Sequence, residues 1–523
     1  MPILQPKQLT ERYQQLKSSR SNWETNWQES ADYHMPNKAT VNVRRTSGDK
    51  RGIMLLDNTG MVSLQQLAGS LQSFVTNPSV HFFKLATGDD ELNRQDDIRK
   101  WLQDSTERMH NVLNNSNFHT EVHETYLNLC LFGTAPLFIL EDDEEVVRFG
   151  AKVINDLVIA EDSKHRINQV FRMFEFNAAQ LVEEFGEENV GRDVHQCWKK
   201  GDNKKFKVYH GVYPDDVSGS GKWISQHILD DGSIQLRIAA FNEFPFVVPR
   251  WTKMPEEIYG RSPAMTSLPE MKTLNKMMEI TLRGAQKVID PPLQAEDDGS
   301  PLQIRTRPGG INYRRPGSAP ITPIFNDSRV DFGFQILEEG RKRVRQAFFV
   351  DQLNLQQGPQ MTATEVNARL QEAARLMGPV IGRLQSEFLD PLIDRVFNIM
   401  QRRGLFLDAP DILAEKDLDI QFTSLVFQAQ RASVINNTLE FGNALAPFAQ
   451  ADPSILDLIN GDGLVRVLHN GIGAPEEILR DVAEVEGIRD ARQQAQEEAI
   501  QQQQEAAQSA NMKDQAQALK AVR

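Results

Sequence analysis

Two long helical patterns, residues 264–289 and 328–349, flank a stretch that cannot itself be helical. Residues 290–326 are rich in proline and glycine, and each proline removes a backbone donor that a helix would need. The flanking segments carry apolar residues at helical spacing. A chain that leaves and returns through two such helices is predicted to form an antiparallel pair with a small module at its tip. Few soluble architectures contain that shape, so it limits the rest of the chain.

On the first helix Met271, Leu274, Met278, Leu282, Ala285 and Ile289 form one apolar stripe. Lys272, Lys276, Arg283 and Lys287 fall within a narrow arc on another side. Such an arc is either an ordinary solvated face or a basic surface turned toward a DNA passage or an outer protein partner. On the second helix Phe332, Ile336, Leu337, Val344 and Phe348 make the packing face. Glu338 with Lys342 and Glu339 with Arg343 are i,i+4 pairs in the favourable order, which leaves Arg341 and Arg345 as the unpaired cations. Within the excursion, Arg305, Arg307, Arg314 and Arg315 suit either a projecting surface that docks a partner or a basic solvent loop.

The remaining periodicities predict a mixed α/β chain, mainly α-helical. Helices are expected over 6–34, 59–76, 92–115 and 118–132. Short β-type runs follow between about 136 and 250 (PLFIL, EVVRFGAKVI, INQVFRMFEF, KVYHGVY, SIQLRIAAF, FPFVVPRW), with one helix at 177–186 among them. After the second long helix comes VDQLNLQQGPQMTATE, nearly uncharged and broken by Gly358-Pro359. Thr362 and Glu365 then make a capping box that starts a helix running to about Arg403, interrupted by Pro379 and Pro391. The last hundred residues are helical and end in a Gln-rich tail.

Composition excludes several classes. A net charge of −14 argues against a dedicated high-affinity nucleic-acid binder, which presents excess Lys and Arg to exchange for phosphate counterions. The two cysteines, Cys130 and Cys197, lack metal-ligand spacing and predict a reducing compartment. No apolar run has the length of a membrane span, and no signal-peptide core is present, so an intracellularly assembled protein without membrane contact is expected. SGSGKW lacks the first glycine of a phosphate loop and places Trp223 where a hydroxyl residue is required, so it is predicted to be a hairpin loop. PLFILEDDEE is predicted to be a strand entering an acidic turn. His119, Glu121 and His123 could share a helix face, but the glutamate is misplaced for a hydrolytic zinc motif and a third ligand is not evident. No catalytic residue, cofactor or metal is expected.

Several segments resemble the head-to-tail connector (portal) proteins of short-tailed, T7-like bacteriophages. The likeness is carried by Pro249-Arg250-Trp251, Tyr259-Gly260-Arg261-Ser262-Pro263, Leu274-Asn275 and Asp290-Pro291-Pro292. It extends to DNTGMVSLQQLAGSLQSFVTNPSVHFFKL, INQVFRMFEFNAAQLVEEFG and the long helix opening Thr362-Ala363-Thr364-Glu365-Val366. Phe82-Phe83 departs from the family's frequent Trp-Phe. The resemblance implies a portal fold with wing, stem, clip and crown, assembling as a ring of about twelve subunits, a homo-dodecamer, around an axial channel.

Residues 1–255 would then be wing, 256–289 the first stem helix, 290–327 clip and 328–350 the second stem helix. Residues 351–361 would be a tunnel loop, 362–424 the wing's long helix, and 425–523 crown and tail. Asn354, Gln356, Gln357, Gly358, Pro359 and Gln360 would line the constriction with neutral polar groups, past which phosphates slide. The implied partners are the major capsid protein, the terminase large subunit, tail adaptor and nozzle proteins, scaffolding or internal core proteins, and double-stranded DNA passing without sequence preference. The implied location is the portal vertex of the virion, after assembly in the host cytoplasm. A metal-dependent hydrolase built on His119, Glu121 and His123, or another virion component such as a tail adaptor, is the alternative.

Overall fold

The predicted helix over 6–34 is two helices, α1 (Pro6–Ser19) and α2 (Ser21–His34), in a computed structural model of the chain. They meet at Arg20, whose buried guanidinium donates to the carbonyls of Ile154 at 2.9 Å, Leu157 at 2.5 Å and Asn155 at 2.9 Å. Charge periodicity alone does not reveal such an inward-turned arginine. The structure describes residues 3–43, 46, 48–52, 55–89, 92–215, 221–229, 234–290, 293–294, 317, 322–323, 330–353, 375–413, 418–424, 438–445, 447, 460–472, 480 and 484–501.

The chain divides into two units. The first comprises Met1–Leu85, Gln103–Ala409 and Ile420–Gln430. Its helices α3 (Thr59–Val75), α4 (Asp96–Asn115) and α5 (Phe118–Phe132) follow the predicted periodicities closely; α4 begins in the second unit. Strand β1 (Phe83–Thr87) lies between α3 and α4. Strands β2 (Leu137–Asp142) and β3 (Val146–Ala151) form a hairpin, and β9 (Phe246–Val247) pairs on the other side of β2. The acidic turn between β2 and β3 is closed by Asp142, whose Oδ1 accepts from the backbone of Glu144 at 2.9 Å and Glu145 at 3.0 Å.

A five-stranded antiparallel sheet runs in sequence order through β4 (Leu157–Glu161), β5 (Ile167–Asn177), β6 (Lys205–Pro214), β7 (Trp223–Leu229) and β8 (Ile234–Phe241). β4 and β7 were not among the expected strands. Alternation sets the two faces: Phe171, Tyr209 and Tyr213 pack under Leu9 and Tyr13 of α1. Phe206 and Val208 pack under α6 (Ala178–Phe185) and α7 (Arg192–Lys200), the latter a helix missing from the sequence expectation. Ser218, Gly219 and Ser220 of SGSGKW lie outside the described residues; on either side, β6 and β7 pair as far as Pro214↔Trp223.

Two long helices, α8 (Pro263–Ile289) and α9 (Val330–Ala347), flank the proline-rich excursion, and the short α10 (Val350–Leu353) follows. Of the excursion the structure describes Gly317 and one two-residue ladder, β10 (Leu293–Gln294) against β11 (Thr322–Pro323). Arg305, Arg307, Arg314 and Arg315 lie outside the described residues, as do Asn354, Gln356, Gln357, Gly358, Pro359 and Gln360. The predicted helix from Thr362 is described from residue 375. It continues through a π turn at Gln385–Leu389 into α11 (Asp390–Arg402). Pro391 would clash with the carbonyl four residues earlier, and the wider turn relieves that conflict.

The second unit comprises Ala86–Leu102, Pro410–Asp419 and Arg431–Arg523. Within it α12 (Gly461–Ile472) is tied to helical residues 484–501 by Arg489, which meets both carboxylate oxygens of Asp462 at 2.8 and 2.6 Å. The chain is thus mixed α/β and mainly helical. Among the described residues no helix is long and apolar enough to cross a membrane.

Several histidines of the first unit are buried in neutral form. Burial lowers His34 and His110 from 6.5 to about 4, and His227, stacked on His210 at 3.9 Å, to about 3. A group depressed in the folded state is protonated more readily when unfolded. Stability is therefore undiminished above pH 6.5 and falls as pH drops through 6.5 toward 4. At pH 5 each of the three costs roughly 2 kcal/mol relative to pH 7. The melting temperature should be flat from pH 8 to 7 and drop steeply below 6, with the drop reduced in His34→Asn.

Candidate functional site

The helical pair is built on an anchor made by the motif residues before it. Ser262 caps α8, accepting from the Met265 backbone at 3.0 Å while its hydroxyl donates to the Leu131 carbonyl at 2.8 Å, and Pro263 occupies the first turn. Gly260 and Gly133 cross backbone to backbone, and a Cβ on either would strike the other's carbonyl. The crossing is sealed by Gly260 N donating to Thr134 Oγ1 at 2.8 Å and Trp251 N donating to the Gly133 carbonyl at 2.9 Å. Tyr259 packs edge-on to Trp27, centroids 5.1 Å apart.

Arg250, also in the motif, is buried and donates to Glu387 at 3.0 and 2.8 Å, to the Ile258 carbonyl at 3.1 Å, and to Glu161. Lys253 completes the cluster at 2.7 Å from Glu161. Burial alone would lower the Arg250 pKa, but its bonds to Glu387 and Glu161 hold it above the ordinary value. Because Glu387 lies in the π turn, this cluster joins helix 375–402 to the foot of α8.

Above the anchor, α8 and α9 run antiparallel in close contact. A Cβ on Gly333 would lie 2.8 Å from Thr281 Oγ1, and one on Gly340 would lie 3.1 Å from Leu274 Cδ1. Glycine in a helix interior costs about 1 kcal/mol relative to alanine, and here it permits the approach. Met271, Leu274, Leu337, Val344 and Phe348 are buried, as the apolar stripes predict. His34 closes the foot, its Nδ1 donating to the Ser30 carbonyl at 3.0 Å and its Nε2 lying 2.8 Å from Ser267 Oγ.

The far half of the pair corrects the expected packing faces. Phe332 is 61% exposed, Phe334 48%, and Ile336 is exposed too. Leu282 and Ile289, on the α8 stripe, are likewise exposed, joined by Ile280 and Val288. The two stripes cover each other only near the anchor, because α9 and α8 meet through Gly333 and Gly340 rather than through these larger side chains.

The basic residues are largely neutralised within the chain. Lys272 meets Glu29 at 2.8 Å, Lys276 meets Glu279 at 2.9 Å, and Arg283 meets the same Glu279 at 2.5 Å. Lys287 is exposed and has no ion-pair partner among the described residues. Arg341, expected to be unpaired, is held by Asp57 at 2.9 Å and Glu338 at 2.6 Å. Burial pushes the Asp57 carboxyl up, but hydrogen bonds from Thr59 and Arg341 outweigh it and keep the group below its ordinary value. Arg345 is only loosely approached by Asp351, at 3.9 Å. Sequence spacing finds partners within one helix, whereas Glu29 and Asp57 lie far away along the chain.

The histidine triplet does not converge. His119 Nε2 lies 2.8 Å from Asn114 Oδ1, and Glu121 accepts the Ala151 backbone N–H at 2.6 Å, capping the end of β3. Among the described residues no cluster of three or more His, Cys, Asp or Glu has metal-binding geometry.

The helical pair is thus anchored at one end and carries exposed apolar side chains at the other. Residues 6–479 match the family of bacteriophage head to tail connecting proteins, and the chain belongs to that family of structural portal proteins. It is 31% identical to the probable portal protein of Bordetella phage BPP-1 over 95% of this chain and 92% of that one. It is 28% identical to the portal protein of Salmonella phage epsilon15 over 94% and 92% respectively. A chain from the virion of a native gene transfer agent particle superimposes with a TM-score of 0.35 at 11% identity, covering 78% of this chain and 89% of its own.

Proposed function

We propose that copies of this chain close into a ring of about twelve subunits at one capsid vertex, in the head-to-tail manner that cyclic assembly requires. The ring surrounds a channel for duplex DNA and docks terminase during packaging and the tail adaptor and nozzle proteins afterwards. Capsid protein and scaffolding or internal core proteins meet it from outside and above. The excursion, residues 290–327, supplies the docking end, and residues 351–361 narrow the channel. Family membership supports the portal role; the observation carrying the ring is the set of exposed apolar side chains flanking the far half of α8 and α9 on both sides.

Ile280, Leu282, Ile289, Phe332 and Phe334 are exposed on both flanks of the pair, and exposed apolar surface of this kind marks where another molecule packs. Each such side chain gains about 1.5–3 kcal/mol on full burial, enough in sum to drive association. A neighbouring copy offers the same helical pair, so the same two flanks meet around the ring. The test is native mass spectrometry with negative-stain electron microscopy of the purified chain. A closed ring with a central hole is expected; a monomer that persists over a range of salt and concentration would refute the assignment.

A further inference from the structure

Three sheet edges of this chain are sealed by side chains. On β4 the Leu157 carbonyl accepts from Arg20, and the Ile159 amide donates to Tyr259 Oη at 3.4 Å. On β3 Asn117 bonds both the N–H and the C=O of Phe149, at 2.9 and 2.8 Å, and Glu121 accepts the Ala151 amide. On β1 the Leu85 amide donates to Thr106 Oγ1 at 3.0 Å and the Thr87 amide to Asn93 Oδ1 at 2.8 Å. β8 is different: it ends the five-stranded sheet, and among the described residues its backbone bonds only β7. The Asp215 amide donates to the Lys222 carbonyl at 3.0 Å, which fixes the alternation of the ladder. Counting from there, Ile224 and Gln226 aim their backbone groups at β6, and Trp223, Ser225 and His227 aim theirs at β8. Across that second ladder Arg237, Ala239 and Phe241 face β7, so the N–H and C=O of Ile238 and Ala240 point outward. Arg237, Ile238, Ala239 and Ala240 are exposed in succession, which a strand paired on both sides would not be.

Free edges template pairing with other chains, and are ordinarily guarded by lysine, proline or an inward charge. Ile238-Ala239-Ala240-Phe241 carries none of these, and the register shift in the β7–β8 ladder lies on the other side of Arg237. Arg237 itself is turned back onto α6, where it meets Glu184 at 3.1 Å. Gln226, across the ladder from Ile238, is already satisfied by Tyr213 at 2.7 Å and the Leu4 carbonyl at 3.0 Å. We infer that β8 receives an added strand from a different protein of the phage particle, an uncharged segment with an apolar side chain against Ile238. A second copy of this chain does not fit that place. Its β1, β3 and β4 are sealed, and β8 against β8 needs a two-fold axis that a ring of head-to-tail copies lacks. The inference rests on the proposed ring for that last step alone.

The first test places a photo-reactive side chain at Ala239 of the full chain in assembled particles, and maps the cross-linked peptides by mass spectrometry. The expected product joins Ala239 to an uncharged segment of a different protein. A link to a second copy, or no link, overturns the inference. Hydrogen exchange then reads the mode of contact. The Ile238 and Ala240 amides should exchange freely in isolated rings and slow by about tenfold or more in the particle. Protection already present in the rings, or none in the particle, overturns the inference. Ala240→Pro removes one outward donor and leaves the β7 ladder intact, as an edge position allows. Rings should still form, while the cross-link yield falls roughly tenfold, the effect of one lost hydrogen bond whose partner is stranded. If that variant does not form rings, Ile238→Lys sets a guard charge on the same edge and gives the same reading. Full cross-linking in the variant that does form rings means side-chain packing without strand addition and sinks the inference. Failure of the unchanged chain to form rings in isolation counts against the ring alone, since the cross-link is read in particles.

Discussion

Replacing Phe332 and Phe334 together with aspartate should leave a folded monomer where the unchanged chain forms a ring. Both phenylalanines lie on the outer part of α9, exposed by 61% and 48%, so neither supports the fold of its own chain. The residues holding α9 to α8 are others: Leu337, Val344 and Phe348 are buried, and Gly333 and Gly340 give the close approach. A carboxylate at a face that a neighbour covers would be buried without a partner, at a cost of several kcal/mol per ion. In a ring that cost recurs at each interface, so a modest pairwise penalty becomes complete loss of closure. The measurement is native mass, with far-ultraviolet circular dichroism to confirm an unchanged helix content. Replacing the exposed Val43 with aspartate in parallel should leave ring formation intact. A double variant that still closes into rings would place the interface elsewhere.

Local periodicity made the helices legible because they carry one apolar stripe each. The spans of α3, α5 and α8 were within a residue or two of the pattern. Strands β4 and β7 were missed for opposite reasons. Leu157–Ala160 is buried throughout and shows no alternation, while Trp223–Leu229 carries Ser225, Gln226 and His227, whose polarity hides a strand paired on both sides. Ser225 and Gln226 are buried because His210 and Tyr213 bond them, at 2.9 and 2.7 Å. No single-sequence pattern contains those pairings.

The site was half legible for the same kind of reason. The apolar stripes and basic arcs could be placed on the helical pair by spacing alone. The carboxylates that neutralise Lys272 and Arg341 could not, since Glu29 and Asp57 arrive by tertiary contact. The motif residues gave family resemblance without mechanism. The structure supplies it: Gly260 is required by a backbone crossing, and Ser262 by the start of α8.

Arg250→Met should cost about 3–5 kcal/mol and loosen one helix before the others. The guanidinium is nearly excluded from water, and its loss leaves Glu161 with Lys253 and the exposed His165, and Glu387 with Arg383 at 3.3 Å. Methionine fills much the same volume, so the penalty is the loss of the bidentate, buried partner of two carboxylates rather than a cavity. An exposed pair would cost less than about 1 kcal/mol, and that difference decides whether the cluster acts as a buried ionic joint.

The location of the damage is equally specific. Glu387 sits in the π turn at Gln385–Leu389, where the backbone already departs from regular helical bonding. Amides of residues 385–402 should exchange faster in the variant, while those of α8 near Leu274 keep the protection their glycine-mediated contact provides. Combining Arg250→Met with Glu387→Gln should restore part of the loss, because the second change removes a charge whose main buried partner the first took away. Hydrogen exchange read by mass spectrometry, together with calorimetric melting of the single and double variants, separates the outcomes. Additive losses with uniform exchange would mean that Arg250 contributes packing alone and that the anchor does not couple helix 375–402 to the foot of α8.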